Sequence, residues 1–174
     1  MLDAKHVKVG DFYSTASRMP RLVEAFAALC EEAEGYGATI GFEFMPSAML
    51  NNLKDSLTMV ETAAAKNGGL ILDIVHVVNL GISYEDVSRI PVRYLISVEL
   101  NDGTSPSSSR YDLSRARRFC GDGEFDIKGF VAAVRKTGYA GPWAVEVFSQ
   151  ELLEWPLDDL NTRAYETTMA QFEE

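Results

Sequence analysis

The sequence predicts an α/β protein of the (β/α)8 TIM-barrel type, present in part. Three observations carry that prediction. Short apolar runs alternate with amphipathic stretches five times over, the order of a parallel sheet wrapped by helices. The runs are apolar on both sides, as buried strands are. Three of them nonetheless carry a carboxylate pointing to one face: Glu43 in Gly41 to Met45, Asp73 in Leu70 to Asp73, and Glu146 in Trp143 to Glu146. A barrel places its chemistry at the C-terminal ends of its strands, where these acids and Glu99 fall. A doubly wound sheet holding a dinucleotide would show a glycine-rich turn after its first strand, and Gly10-Asp11-Phe12-Tyr13 is not that fingerprint.

Taken in order, Ala4 to Gly10 reads as the first strand, followed by a helix over Met19 to Gly35 with Leu22, Phe26 and Leu29 in helical register. Ala38 to Met45 is the second strand. Leu50, Leu53, Leu57, Val60 and Ala64 then make an apolar stripe through a helix over Ser47 to Lys66, which Asn67-Gly68-Gly69 is expected to stop. Leu70 to Val75 is the third strand, Tyr84 to Arg89 a short helix before Pro91, and Arg93 to Leu100 the fourth strand. The polar segment from Asn101 to Glu124 exceeds a simple connector and is expected to be a functional loop. Asp126 caps a helix that runs to Thr137 and ends at Gly138, Pro142 to Phe148 is the fifth strand, and Leu157 to Phe172 the last helix. A closed eight-unit barrel takes roughly 250 residues. Five units in 174 residues therefore predict a single partial barrel domain over 1–174, with three N-terminal units absent.

Composition narrows the function. With 47% hydrophobic and 24% charged residues, the chain has the make-up of a soluble globular protein. A net charge of −10 argues against nucleic acid and anionic membranes as partners. Arg110, Arg115, Arg117 and Arg118 form the basic cluster, read as a solvated or substrate-facing patch. Two cysteines, Cys30 and Cys120, are too few for a disulfide framework and lack metal-finger spacing, which fits a reduced cytoplasm. No apolar run approaches a membrane span, and the N-terminus lacks signal-peptide regions. An isolated ionised group in an apolar setting costs several kcal/mol unless a partner or metal compensates it, so acids on three strands point to a shared cation.

Five motifs stand in an order seen in a known superfamily: Gly41-Phe-Glu-Phe-Met-Pro46, Leu72-Asp-Ile-Val-His76, Val98-Glu-Leu-Asn-Asp102, Arg118-Phe-Cys-Gly-Asp-Gly-Glu-Phe-Asp126 and Gly138-Tyr-Ala-Gly-Pro-Trp-Ala-Val-Glu-Val147. Over nearly all of its length the chain resembles the sugar phosphate isomerase/epimerase family of the xylose-isomerase-like barrels, on the branch associated with inositol catabolism, through that family's last five strands. The resemblance implies a divalent metal held by Glu43, Asp73, the position of Glu99, and Glu146. It implies Glu43 and Glu146 as the carboxylates that remove and return a proton beside a carbonyl, through a metal-stabilised enediolate. It also implies substrate contacts from His76 and from Arg117 or Arg118, of which only one should face the pocket.

Histidine is usual in the family where Glu99 stands. Four carboxylates without imidazole suit Mn2+ or Mg2+, with Co2+ or Zn2+ as alternatives. Such a set leaves two surplus negative charges, which Arg117 or Arg118 can relieve. The bland alternative has Glu99 pointing at solvent. His76, three residues beyond Asp73, shares its face only if the chain bends after the strand, which Asn79 to Gly81 permits. The pair Gly121 and Gly123 is explained as well by a turn as by phosphate binding. Cys120 is read as an apolar filler, Trp143 and Phe44 as core, His6 as structural, and Lys8 as pocket lining.

The expected function is thus a metal-dependent sugar or sugar-phosphate isomerase/epimerase acting on a small sugar or polyol. The alternatives are an inosose dehydratase-like lyase, or a truncated and inactive fragment serving only for binding. Abasic-site endonucleases of the same barrel are disfavoured by charge and by scarcity of histidine. Two open sheet edges predict a homodimer that covers them.

Overall fold

The computed structural model describes residues 4–11, 16–104 and 117–173. Of the basic cluster, Arg110 and Arg115 lie outside the described residues, as do Phe12, Tyr13 and the middle of the long polar segment. The elements are β1 (His6–Gly10), α1 (Met19–Glu34), β2 (Thr39–Glu43), α2 (Leu53–Ala63), β3 (Gly68–Asp73), α3 (Ile74–Asn79), α4 (Tyr84–Ser88), β4 (Leu95–Leu100), α5 (Ile127–Lys136), β5 (Trp143–Val145) and α6 (Leu157–Met169). Short 3-10 turns occupy Val92–Tyr94, Glu151–Glu154 and Ala170–Phe172.

All five strands are parallel and adjacent in chain order, a half-barrel with edges at β1 and β5. Alternation assigns the two faces. Ile40 and Phe42, Leu70 and Leu72, Val98 and Leu100 project outward into a core shared with Phe26 and Cys30 of α1, Met59 and Val60 of α2, and Phe130 and Val134 of α5. Gly41 and Glu43, Ile71 and Asp73, Ser97 and Glu99 occupy the other, concave face. Along that face the acids climb: Glu43 is level with Ile71 and one layer below Asp73, and Glu99 is level with Ala144 and one layer below Glu146. Such a stagger is the shear that makes a sheet curl toward closure.

One irregularity sets this register. Leu70 pairs with Leu95 but Ile71 pairs with Ser97, so Ile96 is an extra residue in β4. A β-bulge of this kind re-aims every side chain beyond it. Were Ile96 paired in regular order with Ile71, Val98 would stand beside Asp73; with the bulge Glu99 does.

Several expected boundaries move, each for a local reason. The second helix spans Leu53–Ala63 rather than Ser47 to Lys66, because Asn52 caps its start, accepting from the Asp55 N–H at 2.8 Å, and Ala64 ends it in the left-handed conformation. Gly68 and Gly69 are therefore not a helix stop but the opening of β3. A Cβ on Gly69 would sit 2.5 Å from the Tyr94 carbonyl oxygen, so close strand packing is what requires glycine there. In α1 the buried stripe is Phe26, Cys30 and Ala33, and Leu29 faces solvent. β5 ends at Val145, just short of Glu146, and β4 starts at Leu95, after the 3-10 turn. Among the described residues no helix is long and apolar enough to cross a membrane.

Candidate metal centre at the strand ends

Glu43, Asp73, Glu99 and Glu146 each offer one carboxylate oxygen, and these atoms all lie within 4.8 Å of one another. The first three are buried and Glu146 is half-buried. Glu99, at 6% exposure, points into the cluster and not at solvent.

Two cations reach the acids. Lys8, on the concave face of β1 one layer below Glu43, extends its ammonium to 2.5 Å from Glu146 Oε1, 2.9 Å from Glu99 Oε2 and 3.5 Å from Glu43 Oε1. Flat strands spaced about 4.8 Å apart would put β1 and β5 beyond the reach of these two side chains, so the ion pair itself reports how strongly the sheet curls. Arg117 is the second, with Nη1 3.0 Å from Asp73 Oδ2, and it donates to the Glu146 carbonyl at 3.1 Å and to the Glu146 carboxylate. With all four acids ionised, four negative charges against two positive leave two, the charge that one divalent ion cancels.

The supporting contacts are asymmetric. Asp73 Oδ1 accepts from the Val75 N–H at 3.0 Å, as N-cap of α3, and from Asn101 Nδ2 at 2.8 Å. Asp73 Oδ2 accepts no hydrogen bond among the described residues and faces the cluster. This use of Asp73 as a cap is also what turns the chain. The helix begins at Ile74, so Asp73 and His76 share a helical face, and the bend lies at Asp73 itself instead of at Asn79 to Gly81. His76 Nε2 stands 3.6 Å from Glu43 Oε1 and 4.0 Å from Asp73 Oδ2. Glu43, Asp73 and His76 thus form a second trio of ligand-bearing atoms within 4.8 Å.

The electrostatics follow the contacts. Burial, then the charge of Asp73, pushes Glu43 up to about 8. Burial pushes Asp73 up to about 7 against the opposing pull of Arg117. Burial acts to raise Glu146 as well, but hydrogen bonds from Lys8 and Arg117 hold it below the usual carboxylate range. Burial acts to lower Lys8, and its bonds to Glu146 and Glu99 outweigh that, leaving it above the usual lysine range. His76, lowered to about 3 by burial and then by Arg117, is a neutral imidazole. The built-in cations thus satisfy Glu146 and leave Glu43 and Asp73 undercompensated, which a divalent ion would correct.

Arg118 does not join the cluster. It is exposed, donates to the Asp122 carbonyl at 3.0 Å and pairs its backbone with Asp102. The glycines after it form a turn around a buried carboxylate: Asp102 accepts from the N–H groups of Gly103, Gly121 and Phe125. A Cβ on Gly123 would lie 2.3 Å from Asp102 Oδ1, so side-chain crowding explains that glycine without a phosphate. Cys120 is buried, with Thr168 Oγ1 3.6 Å from its sulfur. Phe44 is core, and Trp143 packs edge-on against Phe172. His6 on β1 touches none of the acids by any described ion pair.

Asn101 escaped the sequence reading, and Lys8 entered it only as pocket lining and not as a partner of the acids. Lys8 and Asn101 had a signal in alternation: His6, Lys8 and Gly10 interleave with Val7 and Val9, and Asn101 is two residues beyond Glu99. Neither position had a motif to mark it.

Comparison with known proteins places this geometry. A 3-dehydroshikimate dehydratase of Pseudomonas aeruginosa is 32% identical over 130 residues, covering 74% of this chain and 20% of that protein. An inosose isomerase of Halalkalibacterium halodurans is 24% identical over 149 residues, covering 84% of this chain and 52% of that one. The crystal structure of IolI protein with a bound zinc superposes with a TM-score of 0.87 at 21% identity, over 96% of this chain and 62% of that one. The chain thus spans from a fifth to about three fifths of these proteins. The profile of one family matches residues 2–170. This chain belongs to the xylose isomerase-like TIM barrel family.

Proposed function

We propose that the chain serves a metal-dependent sugar or sugar-phosphate isomerase or epimerase, transferring a proton at a carbon next to a carbonyl. The observation that carries this reading is the convergence of Glu43, Asp73, Glu99 and Glu146 on one point within reach of Lys8 and Arg117, a set that lacks two positive charges once all four acids are ionised. An all-oxygen set of that charge suits Mn2+ or Mg2+, with Co2+ or Zn2+ as alternatives, and the zinc of the IolI structure belongs to that protein. The bound ion supplies Lewis-acid polarisation of a carbonyl and a template for its neighbouring hydroxyl.

The chain's own residues do the rest. Glu43 and Glu146 reach the site from strands three positions apart in the sheet, so each addresses a different side of a bound sugar. Glu43, with its raised proton affinity, suits the role of taking a proton and giving it back. Arg117 orients Glu146 and offers its guanidinium to substrate oxygens. His76 holds its place against Glu43 as a neutral hydrogen-bonding group for the substrate. The edges of β1 and β5, unpaired among the described residues, support a homodimer in the same reading, which light scattering tests as twice 19.2 kDa.

Incubation with Mn2+ in deuterated water and a panel of ketoses, ketose phosphates and inososes tests the activity. NMR should show exchange at the carbon beside the carbonyl; no exchange with any member rejects the reading. The 32% relative favours a second reading, dehydration. It begins with the same proton abstraction and ends in loss of a neighbouring hydroxyl, so adding 3-dehydroshikimate to the panel and following ultraviolet absorbance of a conjugated product separates the two.

A further inference from the structure

Lys8 contacts three of the four acids, and it does so across the whole width of the sheet. Its strand is one edge, while Glu146 follows the other, and the two residues are 138 apart in sequence. The side chain is 30% exposed where Glu43 and Glu99 are 4% and 8% exposed, so Lys8 keeps contact with solvent while it holds the buried acids. Among the described residues β1 has only β2 as a strand partner, and no backbone pairing there joins it to the far edge. An ammonium and a divalent ion seek the same thing here: several carboxylate oxygens at once, at close range.

We propose that Lys8 is a surrogate for the metal. Its ammonium gathers Glu43, Glu99 and Glu146 and staples the two sheet edges together when no divalent ion does, and it swings out toward solvent when the ion takes those carboxylates. This inference rests on the reading of the four acids as a metal site. Its consequence is that Lys8 sets affinity: the ion must displace a bound cation, so the free energy of the lysine's contacts is subtracted from that of binding.

Two measurements test this, one without any substitution. In the unmodified chain, reductive methylation by formaldehyde and borohydride, read by peptide mass spectrometry, should label Lys8 slowly without metal and several-fold faster in saturating Mn2+. Labelling that Mn2+ leaves unchanged or slows overturns the displacement. In Lys8→Met, calorimetric titration should show Mn2+ binding at least about tenfold tighter than in the parent. Without metal, backbone amides of β1 should exchange faster in the variant, a difference that Mn2+ removes. Equal or weaker Mn2+ binding by a folded Lys8→Met overturns the surrogate role while leaving the metal site standing. Mn2+ binding by neither chain overturns the metal reading, and the surrogate with it.

Discussion

Strands β3 and β5 lie in one sheet and draw on similar apolar residues, yet every residue of β3 is buried and none of β5 is. β3 has a strand on each side and helices on its outer face; among the described residues β5 has β4 on one side only. β1 repeats the pattern of β5 at the other edge, with Val7 exposed. The contrast teaches that two kinds of cohesion coexist here. The centre is held by apolar burial, which no ion can alter, and the edges are joined across the concave face by charge. The proposed site spans both regimes, with Asp73 anchored in the first and Lys8 and Glu146 in the second.

The largest effect should come from breaking the centre. Leu72→Ala removes a fully buried side chain and should cost about 3 kcal/mol in urea unfolding, whereas Val145→Ala at the edge should cost less than about 1 kcal/mol. Comparable losses would show that the edges are packed as tightly as the core.

Next is the metal. Mn2+ at a hundredfold excess over its dissociation constant should stabilise the chain by about 2.7 kcal/mol, seen as a higher melting temperature. Glu43→Gln should abolish that rise and the proton exchange, while keeping the metal-free fold, because it relieves a buried carboxylate. A full Mn2+ response in this variant would remove Glu43 from the site.

A smaller effect concerns pH. Glu43 and Asp73 are raised from 4.5 and 3.8 to about 8 and about 7, so between pH 7 and 8.5 the folded chain holds protons that an unfolded chain has already released. Folded-state proton excess means that stability falls as pH rises through this window. Glu146 is ionised and Lys8 protonated in both states there, so neither opposes the trend. Metal-free melting temperatures should therefore decline from pH 7 to 8.5, and saturating Mn2+ should abolish the decline. A metal-free profile that rises would contradict the assignment of these two acids as undercompensated.

The smallest effect sharpens the comparison by its absence. Arg118→Ala should change stability by less than about 0.5 kcal/mol and leave Mn2+ affinity unchanged, since Arg118 faces solvent beside the turn held by Asp102. A weakened Mn2+ response would move Arg118 into the site.

Most of the strand and helix order was legible because its signals are local: alternation in strands, a three-to-four spacing in helices, Asp126 as a cap, Gly138 as a stop. The four acids were legible because charge at the end of an apolar strand is conspicuous. What failed was whatever depended on neighbours distant in sequence. Gly69 reads as a helix stop until Tyr94 is seen against it, and Leu29 reads as core until Cys30 is seen packing in its place. α3 was invisible because Ile74 and Val75 continue the β-branched run of the strand, and only the Asp73 side chain, capping from within, turns it into a helix. Lys8 belongs to this class too, since its meaning lies in residues on three other strands.

The single surplus residue in β4 carries a consequence for how this sheet tolerates genetic change. Deleting Ile96 would set Ser97 directly after Leu95, in the pairing with Ile71 that it already has, so glutamate would stay beside Asp73 and valine among the helices. At that point β4 holds one codon in reserve, which it can lose and keep its acid in place, whereas the regular pairing of β2 leaves none to spare.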